Sequence, residues 1–213
     1  MFKTILIATL IMTCASVAAA QSDTYKRWEI FGGFSHMRFN TELSDEDPAS
    51  LPTVGSYEGF NGFNTSATVN FSRYAGFKFD FSGHYKTQGV TAFNVQNGVE
   101  FKSQIYNFLG GVQFKDNSSE GTFKPFVHLL AGAAHGRNRI HVDQQVCTAI
   151  APNPCPPDFT VSSTGFAAAL GGGLDIRAND RIDIRVIQAD YNPTRLFGST
   201  QHNFRFGAGI VFH

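Results

Sequence analysis

The chain has 213 residues, with 17 basic and 17 acidic side chains among them and an unusual abundance of Phe (22) and Gly (21). A neutral balance with no basic run gives nucleic acid nothing to hold, and so few charged residues (16%) argue against a disordered chain. The length suits one domain.

In chain order, the first element is a targeting segment. Residues 1–20 read as a signal peptide: Lys3 supplies the positive charge, Ile5 to Met12 a short apolar core, and Ala18-Ala19-Ala20 the small residues before a cut at Gln21. The apolar core is too short for a spanning helix, which needs roughly 20 residues. Cys14 lacks the small residue expected just ahead of a lipidated cysteine. Removing 1–20 takes away Lys3 alone among the charges, so 16 basic side chains remain against 17 acidic, a net of −1. Residues 21–213 form the folded domain.

Eight segments then alternate with period two, as strands with one apolar face do. Near 26–40, Trp28, Ile30 and Phe34 oppose Glu29 and Ser35, with Phe31 and Met37 breaking the rule. Near 59–72, Phe63, Thr65, Ala67, Val69 and Phe71 oppose Asn64, Ser66, Thr68 and Asn70. Near 75–87, Phe77, Phe79, Phe81 and Tyr85 oppose Lys78, Asp80, Ser82 and His84. Near 99–115, Tyr106, Phe108, Val112 and Phe114 oppose Ser103, Asn107, Gly111 and Gln113. Near 121–141, Val127, Leu129, Ala131 and Ala133 oppose His128 and Gly132. Near 161–178, Phe166, Ala168, Leu170, Leu174 and Ile176 oppose Gly165, Ala167, Gly171, Asp175 and Arg177. Near 180–192, Ile182, Ile184 and Val186 alternate with Arg181, Asp183 and Arg185. Near 200–213, Phe204, Phe206, Ala208, Ile210 and Phe212 oppose Asn203, Arg205, Gly207, Gly209 and Val211.

Short polar turns (Arg73-Tyr74, Lys115 to Gly121, Asn179-Asp180) alternate with longer links (Thr41 to Glu58, Gln88 to Gly98, Val142 to Thr160, Pro193 to Ser199). The pattern predicts an all-β fold: an eight-stranded antiparallel up-and-down transmembrane β-barrel in the bacterial outer membrane. A soluble barrel would have to fit the Phe-rich faces into a lumen only wide enough for ordinary side chains, so those faces are assigned to lipid. The lumen then carries a polar network of Glu29, Lys78, Asp80, Asp175, Arg177, Asp183, Arg185 and Arg205. Inward glycines (Gly171, Gly173, Gly207, Gly209) fit a narrow interior, and Trp28, Tyr74, Tyr85, Tyr106 and Tyr191 lie where an aromatic girdle belongs.

The run Lys124-Pro125-Phe126-Val127 through Gly132, then Leu170-Gly171-Gly172-Gly173-Leu174-Asp175, Asp183-Ile184-Arg185 and a last strand ending Gly209-Ile210-Val211-Phe212, resembles the small outer-membrane β-barrel superfamily that includes the OmpA transmembrane domain and OmpX. The resemblance implies insertion by the barrel-assembly machinery and contact with outer-membrane lipid and lipopolysaccharide. Two departures stand out. His213 follows Phe212 where such proteins commonly finish on an aromatic residue, and the chain stops at the barrel, so cell-wall anchoring is not carried over.

The candidate chemistry is sparse. Cys147 and Cys155, left in an oxidising compartment, are expected to form a disulfide closing a short loop. A metal or redox pair is the alternative, without a C-x-x-C spacing to support it. His135 and His141 are about 20 Å apart along one strand at roughly 3.3 Å per residue, too far to share an ion. His84 and His128 read as satisfied interior groups. Gly171-Gly172-Gly173 has no following helix to make a phosphate loop. The acidic stretch Glu42, Asp45, Glu46 and Asp47 reads as a solvated loop tip. No catalytic, cofactor or metal residues are assigned. The expected function is non-enzymatic, supporting envelope integrity and presenting surface loops to an unidentified partner. One alternative is a small porin-like pore lined by the polar network. Another is a lipid A-modifying barrel enzyme using His202 and Ser199.

Overall fold

A computed structural model describes residues 25–40, 57–92, 95–118, 121–146 and 158–213. Eight strands follow one another: β1 (Trp28–Asn40), β2 (Tyr57–Asn70), β3 (Ala75–Ala92), β4 (Val95–Lys115), β5 (Phe123–Val142), β6 (Asp158–Arg177), β7 (Ile182–Leu196) and β8 (Ser199–Phe212). Each pairs antiparallel with its sequence neighbours, and β1 closes the cylinder on β8 through a register that includes Gly33 opposite Gly209. Closure removes every sheet edge, the condition for crossing hydrocarbon with strands. The segment 1–20 and both Cys147 and Cys155 lie outside the described residues.

Period-two alternation places one set of residues on each side of the wall. Outside stand Trp28, Phe34, Phe79, Phe108, Leu129, Phe166, Leu170 and Ile210, all large and exposed. Tyr74 and Tyr85 on this outer face are eleven residues apart. At roughly 3.3 Å per residue and a tilt near 40°, that is about 28 Å of height, close to the apolar band of about 25 Å on such barrels.

Phe31 and Met37 do not break the alternation of β1. Both point inward, 2% and 0% exposed, on the same face as Glu29 and Ser35. They are apolar residues in the lumen, which polarity alone assigns to the wrong side.

Strand β7 departs from the expected 180–192 in a second way. Leu174 pairs with Ile187 but Asp175 pairs with Arg185, while on the other flank Arg185 pairs with Gly209 and Gln188 with Gly207. Val186 is therefore an extra residue, a β-bulge, and both it and Ile187 face outward at 42% and 52% exposure. The bulge inverts the parity of everything after it. Gln188, Asp190, Asn192, Thr194 and Leu196 point inward, and Ala189 and Tyr191 point outward.

Two of the expected long links are mostly strand. β3 continues to Ala92 and β4 begins at Val95, so little of 88–98 is loop. The 193–199 link shrinks to a two-residue turn at Phe197 (φ 52°) and Gly198 (φ 84°). Two consecutive left-handed residues make the turn whose twist suits a tight hairpin; Gly198 adopts it freely, whereas Phe197 is unusual there.

At the opposite end, the segment 25–27 runs across the turns. Tyr25 bridges Ser118, and the Asn70 amide donates to the Arg27 carbonyl at 2.8 Å. The Lys26 ammonium meets the Asp180 carbonyl. Arg73, in the turn between β2 and β3, reaches Asp116 of the β4–β5 turn through two bonds of 3.0 and 3.1 Å and, with lesser help from Ser118, brings its carboxyl down to about 2.

Candidate functional site

The interior of the cylinder holds the densest chemistry of the molecule. Seven of the eight residues expected there are buried in it: Glu29, Lys78, Asp80, Asp175, Asp183, Arg185 and Arg205. Arg177 is not. It ends β6, remains partly exposed, and pairs with Asp180 of the adjoining turn. The charges are instead completed by Lys115, Lys124 and Asp190, giving five acids and five bases, all at most 3% exposed. Lys115 belongs to the last inward position of β4 rather than to a turn. Lys124 follows from the even-numbered inward parity of β5. Asp190 is reached only through the bulge.

These groups form two clusters. Nearest the turns, the Lys115 ammonium donates to Glu29 Oε2 at 2.9 Å and Asp175 Oδ2 at 2.8 Å. Lys124 donates to Asp183 at 3.0 Å, and His213 reaches the same carboxylate oxygen at 2.8 Å. The residue after the last strand thus plugs into the network. Arg185 donates to both oxygens of Asp175, from Nε at 2.8 Å and Nη2 at 3.1 Å. Its guanidinium lies between the Phe31 and Phe126 rings, 4.3 and 4.0 Å from their centroids. A planar cation between two aromatic faces is held by the ring quadrupoles while its edges stay free for carboxylates.

Half-way up the lumen, Arg205 joins two acids from different strands. Nη1 donates to Asp80 Oδ1 at 2.7 Å, while Nε and Nη2 donate to Asp190 Oδ2 at 2.9 and 2.7 Å. Asn64 donates to the second Asp80 oxygen at 2.9 Å, and Gln188 donates to Asp190 at 2.8 Å. His128 sits between Lys78 (Nδ1 to Nζ, 3.2 Å) and Asp190 (Nε2 to Oδ1, 2.9 Å). An ammonium only donates, so Nδ1 accepts from Lys78 and Nε2 carries the hydrogen given to Asp190. Gly171 makes room for this cluster, because a Cβ there would lie 2.2 Å from Asp190 Oδ1 and 2.3 Å from the Ala189 carbonyl.

Above the charges the lumen becomes apolar. Leu109, Leu130, Ala134, Ala167, Ala169 and Leu196 form one packed group, and Met37, Phe60 and Ile105 another, with Phe39 against it. Between lie neutral contacts such as Asn107 to Ser82 and Asn203 to the Asn192 carbonyl at 3.1 Å.

The interior offers paired charges in place of a reactive constellation. His84 bonds Ser35 at 2.9 Å and is fully buried. His202 does not approach Ser199. It faces outward and bonds the Tyr191 hydroxyl at 2.5 Å, whereas Ser199 accepts from Gln201 at 2.9 Å. Among the described residues, no group of three or more His, Cys, Asp or Glu is placed to hold a metal ion.

This architecture has relatives. Yersinia pestis Ail, solved with the heparin analogue sucrose octasulfate, aligns at a TM-score of 0.55 and 18% identity, over 87% of this chain and 98% of Ail. Neisserial surface protein A aligns at 0.55 and 10% identity, over 87% and 96%. The Escherichia coli outer membrane protease OmpT aligns at 0.47 and 8% identity, over 92% and 99%. The alignments to Ail and Neisserial surface protein A show likeness of fold. No curated protein matches the sequence. The outer membrane protein β-barrel domain model, however, matches residues 6–212. The chain belongs to that family of bacterial outer-membrane barrels.

Proposed function

We propose that this barrel is a non-enzymatic structural and surface protein of the outer membrane. It supports envelope integrity by its contacts with outer-membrane lipid and lipopolysaccharide, and presents its loop end to partners outside the cell. In this reading the turns and the segment 25–27 face the periplasm, and insertion is by the barrel-assembly machinery. The observation that carries the reading is the filling of the lumen: nine ion-paired charges and Lys78, bonded to His128, below, and Leu109, Leu130 and Leu196 packed above. An eight-stranded cylinder filled by side chains has no width left for a water column. The separation of His202 from Ser199 leaves the lipid A-modifying alternative without its residue pair.

Reconstitution into planar bilayers tests this. The expected result is no single-channel conductance from a preparation that shifts mobility on gels when boiled. Steady ion conductance from that preparation would favour the pore. A cell lacking the protein should become more sensitive to detergent, and unchanged sensitivity would remove the integrity role. Turnover of lipid A by the purified barrel would make it an enzyme.

A further inference from the structure

The outward face of β4 and β5 carries a second charged cluster with no part in the interior. Lys102 lies directly opposite Arg139, and Gln104 opposite Arg137. Even-numbered residues of β4 and odd-numbered residues of β5 face away from the lumen, as exposed Phe108 and Leu129 do, so these four side chains share one surface. Together they line a cleft of about 70 Å³.

Like charges placed opposite one another on neighbouring strands repel, and a stable sheet ordinarily sets an acid between them. Here two acids lie nearby and offset the three cations only in part. Asp158 bonds His141 at 2.7 Å, and Glu100 bonds Lys102 at 3.0 Å. The Arg137 and Arg139 side chains make no hydrogen bond or ion pair of bonding distance among the described residues, although Arg139 lies near enough to Asp158 to favour its carboxylate. The cluster holds three cations against the Glu100 carboxylate paired with Lys102 and the nearby Asp158, which His141 already engages, so it keeps an excess of positive charge around an amide donor.

Its height on the wall identifies the ligand chemistry. Tyr85 pairs in register with Gln104, and the Tyr85 and Tyr106 rings meet edge-on at 5.8 Å just below the cleft. Aromatic rings of this kind mark the boundary between acyl chains and headgroups. Lys102 stands four residues beyond Tyr106, about 13 Å along the strand at roughly 3.3 Å per residue. The cations therefore lie beside the headgroup layer of the leaflet at the loop end, where phosphate is the anion within reach. Guanidinium forks bind phosphate oxygens in pairs, and an ammonium adds a point charge.

We propose that Lys102, Arg137 and Arg139, with Gln104, bind the phosphate groups of a phosphorylated glycolipid of the outer leaflet. This deepens the reading given above and rests on the loop end facing outward.

The test is native mass spectrometry of the folded barrel in micelles, titrated with bisphosphorylated lipid A. The wild type should bind it more tightly than the dephosphorylated form. The Arg137→Ala, Arg139→Ala double variant should bind about 25-fold more weakly, or about fivefold for each cation lost. Arg137→Lys with Arg139→Lys should retain most of the affinity. Arg195→Ala, an exposed cation on β7, should bind like wild type. Folding of each variant is checked by its heat-dependent gel mobility. If the double alanine variant fails to fold, Lys102→Gln takes its place with about a fivefold loss expected. Equal binding of dephosphorylated lipid, unchanged binding by the folded variants, or displacement of the lipid by equimolar pyrophosphate would overturn the proposal. The last result would indicate a site for soluble anions. Because the readout is lipid affinity, lost binding in a non-conducting barrel rejects this site alone, and intact binding in a conducting barrel rejects the structural reading alone.

Discussion

The two halves of the lumen solve the same packing problem with opposite chemistry. Toward the turns, nine charges pair with one another, Lys78 bonds His128, and Arg185 lies over the Phe31 and Phe126 rings. Toward the loops, Leu130, Ala134 and Leu196 pack together beside neutral polar groups such as Thr194 and Gln201. The charged half depends on every partner being present, because an uncompensated buried charge is far less favourable than the pair was favourable. The apolar half depends only on volume. The bulge at Val186 makes both possible, since it turns β7 so that Gln188, Asp190 and Leu196 point inward together.

Deleting Val186 and Ile187 together should break the arrangement most severely. Alternation continued from inward Arg185 would then send Gln188 and Asp190 to the lipid side and Tyr191 inward, so the expected outcome is no heat-modifiable folded species on a gel. Arg205→Ala comes next. It strands Asp80 and Asp190 together, and should lower stability by about 4 kcal/mol in a urea titration in lipid vesicles. Leu130→Ala, in the apolar half, should lower it by about 3 kcal/mol, with a loss that follows cavity size and does not vary with pH. A larger loss for Leu130→Ala than for Arg205→Ala would reverse the ranking of the two halves. The smallest effect belongs to a pair outside the lumen. Asp116 and Arg73 are both more than 40% exposed, so Asp116→Asn should change stability by less than about 1 kcal/mol at neutral pH. The Asp116 carboxyl falls from 3.8 to about 2 on folding, so its contribution is present above about pH 4 and fades as pH falls toward 2. Acid titration of the wild type against Asp116→Asn measures that window.

Strands β6 and β8 were legible almost completely, because most of their outward residues are large and apolar while their inward ones are chiefly small, polar or charged. The loop-end plug was not. Met37 and Phe60 are apolar and inward, so period-two reading either misses them or takes them for irregularities. Asp190 was hidden for a different reason: a bulge changes parity without leaving a Gly or Pro to mark it, and Val186-Ile187 reads as ordinary strand. Lys115 looked like a turn residue because it precedes Asp116-Asn117, yet its side chain joins Glu29 and Asp175. The cations at the outer rim carry no local pattern at all. Lys102 and Arg139 become neighbours only once the register of β4 on β5 is fixed.

The lengths of the strands have a consequence for approach from outside. β3 to β6 run 18 to 21 residues, whereas β7 and β8 run 15 and 14 and meet in a two-residue turn level with Gly136 and Ser163. Among the described residues the mouth of the cylinder is a half-collar, with a tall curtain on one flank and a low sill on the other. A molecule arriving over the sill is stopped by the curtain, so access to this protein has a direction in the plane of the membrane as well as along its normal.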